Sequence, residues 1–180
     1  MGVLRPIFLS VLVWAFFVSP YQASGGTRLT AEPDQLRALY VQRLVKYVTW
    51  PRGAGPAPGE PFVVAATDPA RLRPYFPDSD AVGDGPRFRL VQWPAECHVL
   101  FLAGASRREG AAIIKRVVDL PVLTITQDPE GPEQGAIINF YMQGGRLKLE
   151  VNPDAAGRAG LAVSSRLMQL ARIHRGGADE

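Results

Sequence analysis

The sequence predicts a single three-layer α/β domain: a mostly parallel central sheet flanked by helices, with a C-terminal antiparallel hairpin strand at one edge. Three observations predict it. The middle of the chain runs strand, helix, strand, strand, helix, strand. The cores of those strands are continuously apolar, the mark of strands buried on both faces. Two alternating runs then flank Gly144-Gly145, a two-residue hairpin signal.

Taken in order, the chain opens with MGVLRPIFLSVLVWAFFVSPYQASGG. Arg5, an apolar run from Ile7 to Val18 and the small residues Ala23 to Gly26 have the layout of a secretory signal peptide. Cleavage is expected after Ala23 or after Gly25, which divides the chain into a signal peptide (1–25) and an α/β domain (26–180). An uncleaved anchor is the other reading, but the run is shorter than the roughly 20 apolar residues of a membrane span.

DQLRALYVQRLVKYVTWP places Leu36, Leu39, Tyr40, Leu44, Tyr47 and Val48 on one helical stripe, capped by Asp34 or Thr30 and ended by Trp50-Pro51. RGAGPAPGE is a loop; its glycines lack the strand before and helix after that a dinucleotide site needs. FVVAA, Phe62 to Ala66, is a strand, and Asp68-Pro69 starts a short helix limited by Pro74 and Pro77. RFRLVQW is a strand with Phe88, Leu90 and Gln92 on one face. HVLFL is another, followed by the helix GAAIIKRVV, with Ile113, Ile114, Val117 and Val118 inward. PVLTIT is a further strand. In the hairpin, Leu147, Leu149 and Val151 share one face and Lys148 and Glu150 the other. A helix capped by Asn152 runs from Pro153 to about Ile173, broken into two near Gly160 and Ser164-Ser165, with the second part capped by Ser164.

Composition narrows the function. Apolar residues at 47% and charged residues at 21% indicate a globular chain. The net charge of +3 is spread without a basic stripe, so no nucleic acid is expected as a partner. One Cys allows no intramolecular disulfide. Two well-separated His and one Cys make no metal site, and no cofactor is expected. Cys97 and His98 are adjacent on a strand, point to opposite faces and cannot share a proton. Cys97 is therefore read as a small buried side chain. Ser106-x-x-Glu109 is a capping box, which accounts for the serine without catalysis. No catalytic constellation emerges. What remains is a ligand crevice at the carboxyl ends of the strands, where Asp68, Ser106, Arg107, Gln127 and Asp128 are expected to gather beside a helix N-terminus.

The order of motifs carries a resemblance. A helix ending in Y-V-T-W-P is followed by PFVVAATDP, AECHVLFLAG, LPVLTITQDP, GAIINFYMQGGRLKLEVN and AGLAVSSRLMQLA. Together these resemble the YfiR-like family of periplasmic proteins from about Ala31 to Ile173. The resemblance implies an α/β domain, often a homodimer, that is a regulator and not an enzyme. It implies a partner in the periplasmic sensor region of an inner-membrane diguanylate cyclase or histidine kinase, with cyclic-di-GMP or a related signal as the output. An outer-membrane lipoprotein that relieves the restraint is a further implied partner. The chain departs from family members that carry intrachain disulfides, and redox control is not expected of it. For a protein that acts by contact, the apolar Trp50, Tyr141 and Met142 are the candidate partner-binding residues; the other reading is that each packs in or at the rim of the core.

Overall fold

The computed structural model describes residues 33–76 and 85–176. The segment read as a signal peptide, the Thr30 cap and Pro77 lie outside them. Helix α1 (Pro33–Leu44) tightens into a 3-10 turn (Val45–Tyr47) and then strand β1 (Val48–Thr49). Strand β2 (Phe62–Ala66) is followed by two 3-10 turns, Pro69–Arg71 and Arg73–Tyr75. Strands β3 (Phe88–Gln92) and β4 (Val99–Phe101) precede helix α2 (Arg107–Val117). Strand β5 (Leu123–Thr126) leads to the hairpin of β6 (Ile138–Gln143) and β7 (Arg146–Val151). The chain finishes with α3 (Pro153–Arg158), β8 (Ala162–Val163), α4 (Ser165–Leu170) and β9 (Arg172–Ile173).

Seven strands form one sheet in the order β3-β2-β4-β5-β6-β7-β9, and β1 and β8 form a separate antiparallel ribbon. Every pair in the large sheet is parallel except β6–β7. The mostly parallel α/β fold with an antiparallel hairpin is therefore the observed one, and β9 extends the sheet one short strand past β7. Gly144 and Gly145 both adopt positive φ (57° and 71°), which lets a two-residue turn follow the twist of the strands.

Side chains alternate between two apolar layers. Val64, Ala66, Val99, Phe101, Leu123, Ile125, Ile138, Phe140 and Val151 point to one face, under α1, α3 and α4. Ala65, Leu100 and Leu102 point to the other, under Ile113, Ile114 and Val117 of α2. Phe101 is fully buried and its ring meets Phe140 edge-on at 5.9 Å. Burial of a side chain of this kind contributes about 1.5–3 kcal/mol.

Three local expectations are corrected. First, α1 buries Ala38, Val41 and Leu44, continued by Val45 and Val48, and Leu39 of the expected stripe is 40% exposed. The small Ala38 and Val41 let the helix approach the sheet closely, while Tyr40 reaches the edge of Phe140 at 5.9 Å. Second, the helix ends well before Trp50-Pro51, because Val48 and Thr49 pair with Val163 and Ala162. Third, the C-terminal helix breaks into two short helices near Gly160 and Ser164 as expected, but β8 lies between them and Arg172–Ile173 form strand β9 in place of a last helical turn. Its predicted caps hold: Asn152 accepts from the Ala155 amide at 2.9 Å and Ser164 from the Leu167 amide at 3.3 Å.

Candidate functional site

At the carboxyl ends of β4 and β5 the backbone turns away from the sheet and leaves a crevice of about 380 Å³. Its walls are the start of α2 and the loop that follows Thr126. Ser106, Arg107, Gln127 and Asp128 all line it, together with Leu102, Ile114 and Gln134. The sequence reading thus brings four of its five residues to one cavity. Asp68 is the exception. It lies two residues past the end of β2, beside Gly104, makes no side-chain cap to the 3-10 turn and is absent from the lining.

The strand order explains this displacement. The order reverses between β2 and β4, where an open α/β sheet ordinarily leaves its crevice. Here that gap is bridged: the Thr67 hydroxyl donates to the Ala103 carbonyl at 2.7 Å, while on the other side of β2 the Gln92 amide donates to the Thr67 carbonyl at 3.0 Å. The opening shifts one strand along, to β4 and β5, and leaves Asp68 outside it.

Several of the crevice's polar groups hold one another. Ser106 accepts from the Glu109 amide at 3.3 Å as the N-cap of α2, which establishes one half of the capping box. The Arg107 guanidinium approaches Asp128 at 3.3 Å and donates to Glu130. Asp128 in turn accepts from the Glu130 amide at 3.1 Å, and its own amide donates to the Thr126 hydroxyl at 3.1 Å. Arg107 is therefore offset by two carboxylates, and the mouth is not a cationic anion trap. The side-chain amides of Gln127 and Gln134 make no hydrogen bond among the described residues, so the groups left for a ligand are neutral and polar.

Cys97 and His98 separate as expected. Burial pushes the Cys97 thiol up to about 11, against a smaller opposing effect from the Ala65 backbone. The thiolate needed for nucleophilic chemistry is thus suppressed. The His98 ring lies at the amino end of β4, where Nδ1 accepts from the Val63 amide at 3.0 Å. Its pKa is lowered, chiefly by burial. Among the described residues, no group of three His, Cys, Asp or Glu is placed to hold a metal ion.

The three apolar candidates do not form one patch. Trp50 is half-buried at the amino end of β2, tilted against Phe62 with ring centroids 5.2 Å apart. Tyr141 and Met142 lie beyond the carboxyl end of β5, on the projecting part of the hairpin. Met142 is 60% exposed, and the Arg172 guanidinium covers the Tyr141 ring at 4.4 Å from its centroid.

One cluster escaped the sequence reading. Glu150, expected on the polar outer face with Lys148, is 6% exposed. Its carboxylate accepts from Arg172 at 2.7 Å and from the Asn139 amide at 3.4 Å, and lies 3.4 Å from His174 Nδ1. The 127–136 loop folds back toward the same face; a Cβ at Gly131 would lie 2.3 Å from the Thr126 methyl, so only glycine permits this approach. No local pattern pairs residue 150 with residues 172 and 174. The only signal available was a glutamate at the inner end of a predicted hairpin strand.

The fold and crevice define a class: a mostly parallel α/β domain with an open, neutral polar cleft at its sheet ends and no described thiolate or metal cluster. Residues 34–172 match the YfiR/HmsC-like family, and the chain belongs to it. The structure is similar to the crystal structure of a conserved domain protein from Vibrio cholerae O1 biovar El Tor str. N16961. The TM-score is 0.53 at 9% identity, over 79% of this chain and 60% of that one, so the likeness is one of fold. No curated protein matches the chain. Among the described residues, no helix is long and apolar enough to cross a membrane.

Proposed function

We propose that this protein is a periplasmic signalling regulator. It binds the periplasmic sensor region of an inner-membrane diguanylate cyclase or histidine kinase and restrains it, tuning cyclic-di-GMP or related output. The observation that carries the reading is the YfiR/HmsC-like match across nearly the whole described domain. The apolar N-terminal run, with its signal-peptide layout, supports export. Regulation of this kind is differential binding: the chain shifts its partner only by as much as it prefers one of the partner's states. An outer-membrane lipoprotein that competes for the chain, and a second copy as homodimer partner, belong to the same proposal. Pull-down from detergent-solubilised membranes, followed by cyclase or kinase assay with and without the chain, tests it. Recovery of a sensor protein whose output falls on adding the chain is expected. Recovery of none, or an output that does not change, refutes it.

The crevice supports a second reading, a small-ligand module that feeds the same signalling. Its free groups suit a small, neutral, polar ligand held by Gln127, Gln134 and Ser106. A thermal-shift screen of amino acids and nucleosides checks this. The stabilisation expected from a true ligand is lost in Gln127→Ala, whereas no stabilisation by any compound rejects the reading.

A further inference from the structure

We propose that the projecting β6–β7 hairpin is the surface on which a carboxylate-rich segment of a partner polypeptide docks. β5 pairs with β6 only at Ile138 and Asn139, and β9 pairs with β7 only at Glu150 and Val151. Between those limits the two strands pair only with each other, from Phe140–Leu149 out to Gln143–Arg146. The ribbon therefore stands beyond the carboxyl edge of the parallel sheet, with both faces reachable near its tip.

The two faces differ in chemistry. Alternation along a strand, with Phe140 turned toward Tyr40 and Phe101, puts Met142 and its cross-strand neighbour Leu147 on the α1 side. Tyr141, Arg146 and Lys148 fall on the opposite side, where Arg172 lies over the Tyr141 ring. Arg146 and Lys148 are exposed, and neither is ion-paired among the described residues. From Tyr141 to Leu149 the chain carries these two cations and no acidic residue. Arg172, 57% exposed, is offset by its ion pair with Glu150, which leaves Arg146 and Lys148 as the unpaired cations of this side among the described residues.

Complementarity to this charge calls for carboxylates. The arrangement also selects a polypeptide over a membrane. A bilayer holds a segment in proportion to the apolar area it takes up. Here the apolar side of the ribbon tip offers only the exposed Met142 and the half-buried Leu147, too little to seat in a bilayer. The proposal rests on the regulator reading and names the surface through which that contact is made.

The test uses the intact chain and a fluorescein-labelled peptide, Glu-Leu-Glu-Glu-Leu-Glu, followed by anisotropy. Saturable binding that weakens with added salt is expected. Arg146→Glu with Lys148→Glu should weaken it roughly tenfold, the loss of two exposed charge contacts. The milder Arg146→Gln with Lys148→Gln should give an intermediate loss, and circular dichroism should show both variants folded. Absence of saturable binding overturns the proposal, as does binding that survives charge reversal or is matched by Lys-Leu-Lys-Lys-Leu-Lys. Phosphatidylglycerol vesicles that bind through Arg146 and Lys148 in place of the peptide overturn it in favour of a lipid surface. If a membrane sensor is recovered equally by the charge-reversed chain, the docking surface is wrong and the regulator reading stands. If no sensor is recovered by either chain, the regulator reading itself fails.

Discussion

Glu150→Gln is the most informative single change, because it keeps the shape of the side chain and removes its charge. In the native chain the carboxylate is buried and joins β6, β7 and β9 through Asn139, Arg172 and His174. Shielded hydrogen bonds to a charged group contribute about 1.5–3 kcal/mol, whereas exposed ion pairs contribute about 0–1. Arg172 is 57% exposed and regains water when released, so no cation is stranded in the core. The expected loss is therefore about 1–2 kcal/mol, or about 3–8 °C in Tm for a domain of this size.

The pH dependence gives the loss a signature. Burial alone would raise the Glu150 carboxyl, but hydrogen bonds from Arg172 and Asn139 and the charge of Arg172 outweigh it, and the net shift is downward. A carboxyl with a depressed pKa in the folded state stabilises fully above its unfolded pKa. That contribution is lost as pH falls through the folded value. Urea denaturation followed by tryptophan fluorescence, at pH 7 and at about pH 3, reads it directly. The gap between native chain and variant should be full at neutral pH and should narrow in acid. An equal gap at both pH values, or a variant as stable as the native chain at pH 7, refutes the reasoning.

Three further outcomes are expected. Phe101→Ala should cost about 3–5 kcal/mol, measured by the same denaturation, because the ring is fully buried against Phe140. Ser106→Ala should cost about 0.5–2 kcal/mol through loss of the α2 cap. If Ser106 only caps, addition of the variant to a partner assay should change output as the native chain does. Cys97, with its thiol raised to about 11, should react with iodoacetamide at pH 8 far more slowly than free cysteine. A rate equal to that of free cysteine contradicts its burial.

Much of the candidate site was legible because its parts are local. A Ser-x-x-Glu signal before an apolar helical run sets the start of α2, and the end of the TIT strand sets Gln127 and Asp128. Parallel neighbours bring those two segments to the same edge. Asp68 was misplaced because its position depends on which strands are adjacent. The sequence contains β2 and β4 but not the Thr67–Ala103 bond that closes the gap between them. Leu39 was assigned inward on hydrophobicity, yet the sheet accepts the smaller Ala38 and Val41 face instead.

What the sequence determined by itself is everything governed by a few neighbouring residues. The alternation of strands and helices, the Gly-Gly turn, the Asn152, Ser106 and Ser164 caps and the separation of Cys97 from His98 follow from spacing and backbone preference. Only the tertiary structure decided where β1 pairs, that residues 172 and 173 form a strand, and that Glu150 is buried. Each of these depends on contacts between segments far apart in the chain, as when Val48 meets Val163 and Glu150 meets Arg172. Local propensity is weak beside the free energy of closing such contacts, so the last turns of both terminal helices gave way to strand pairing.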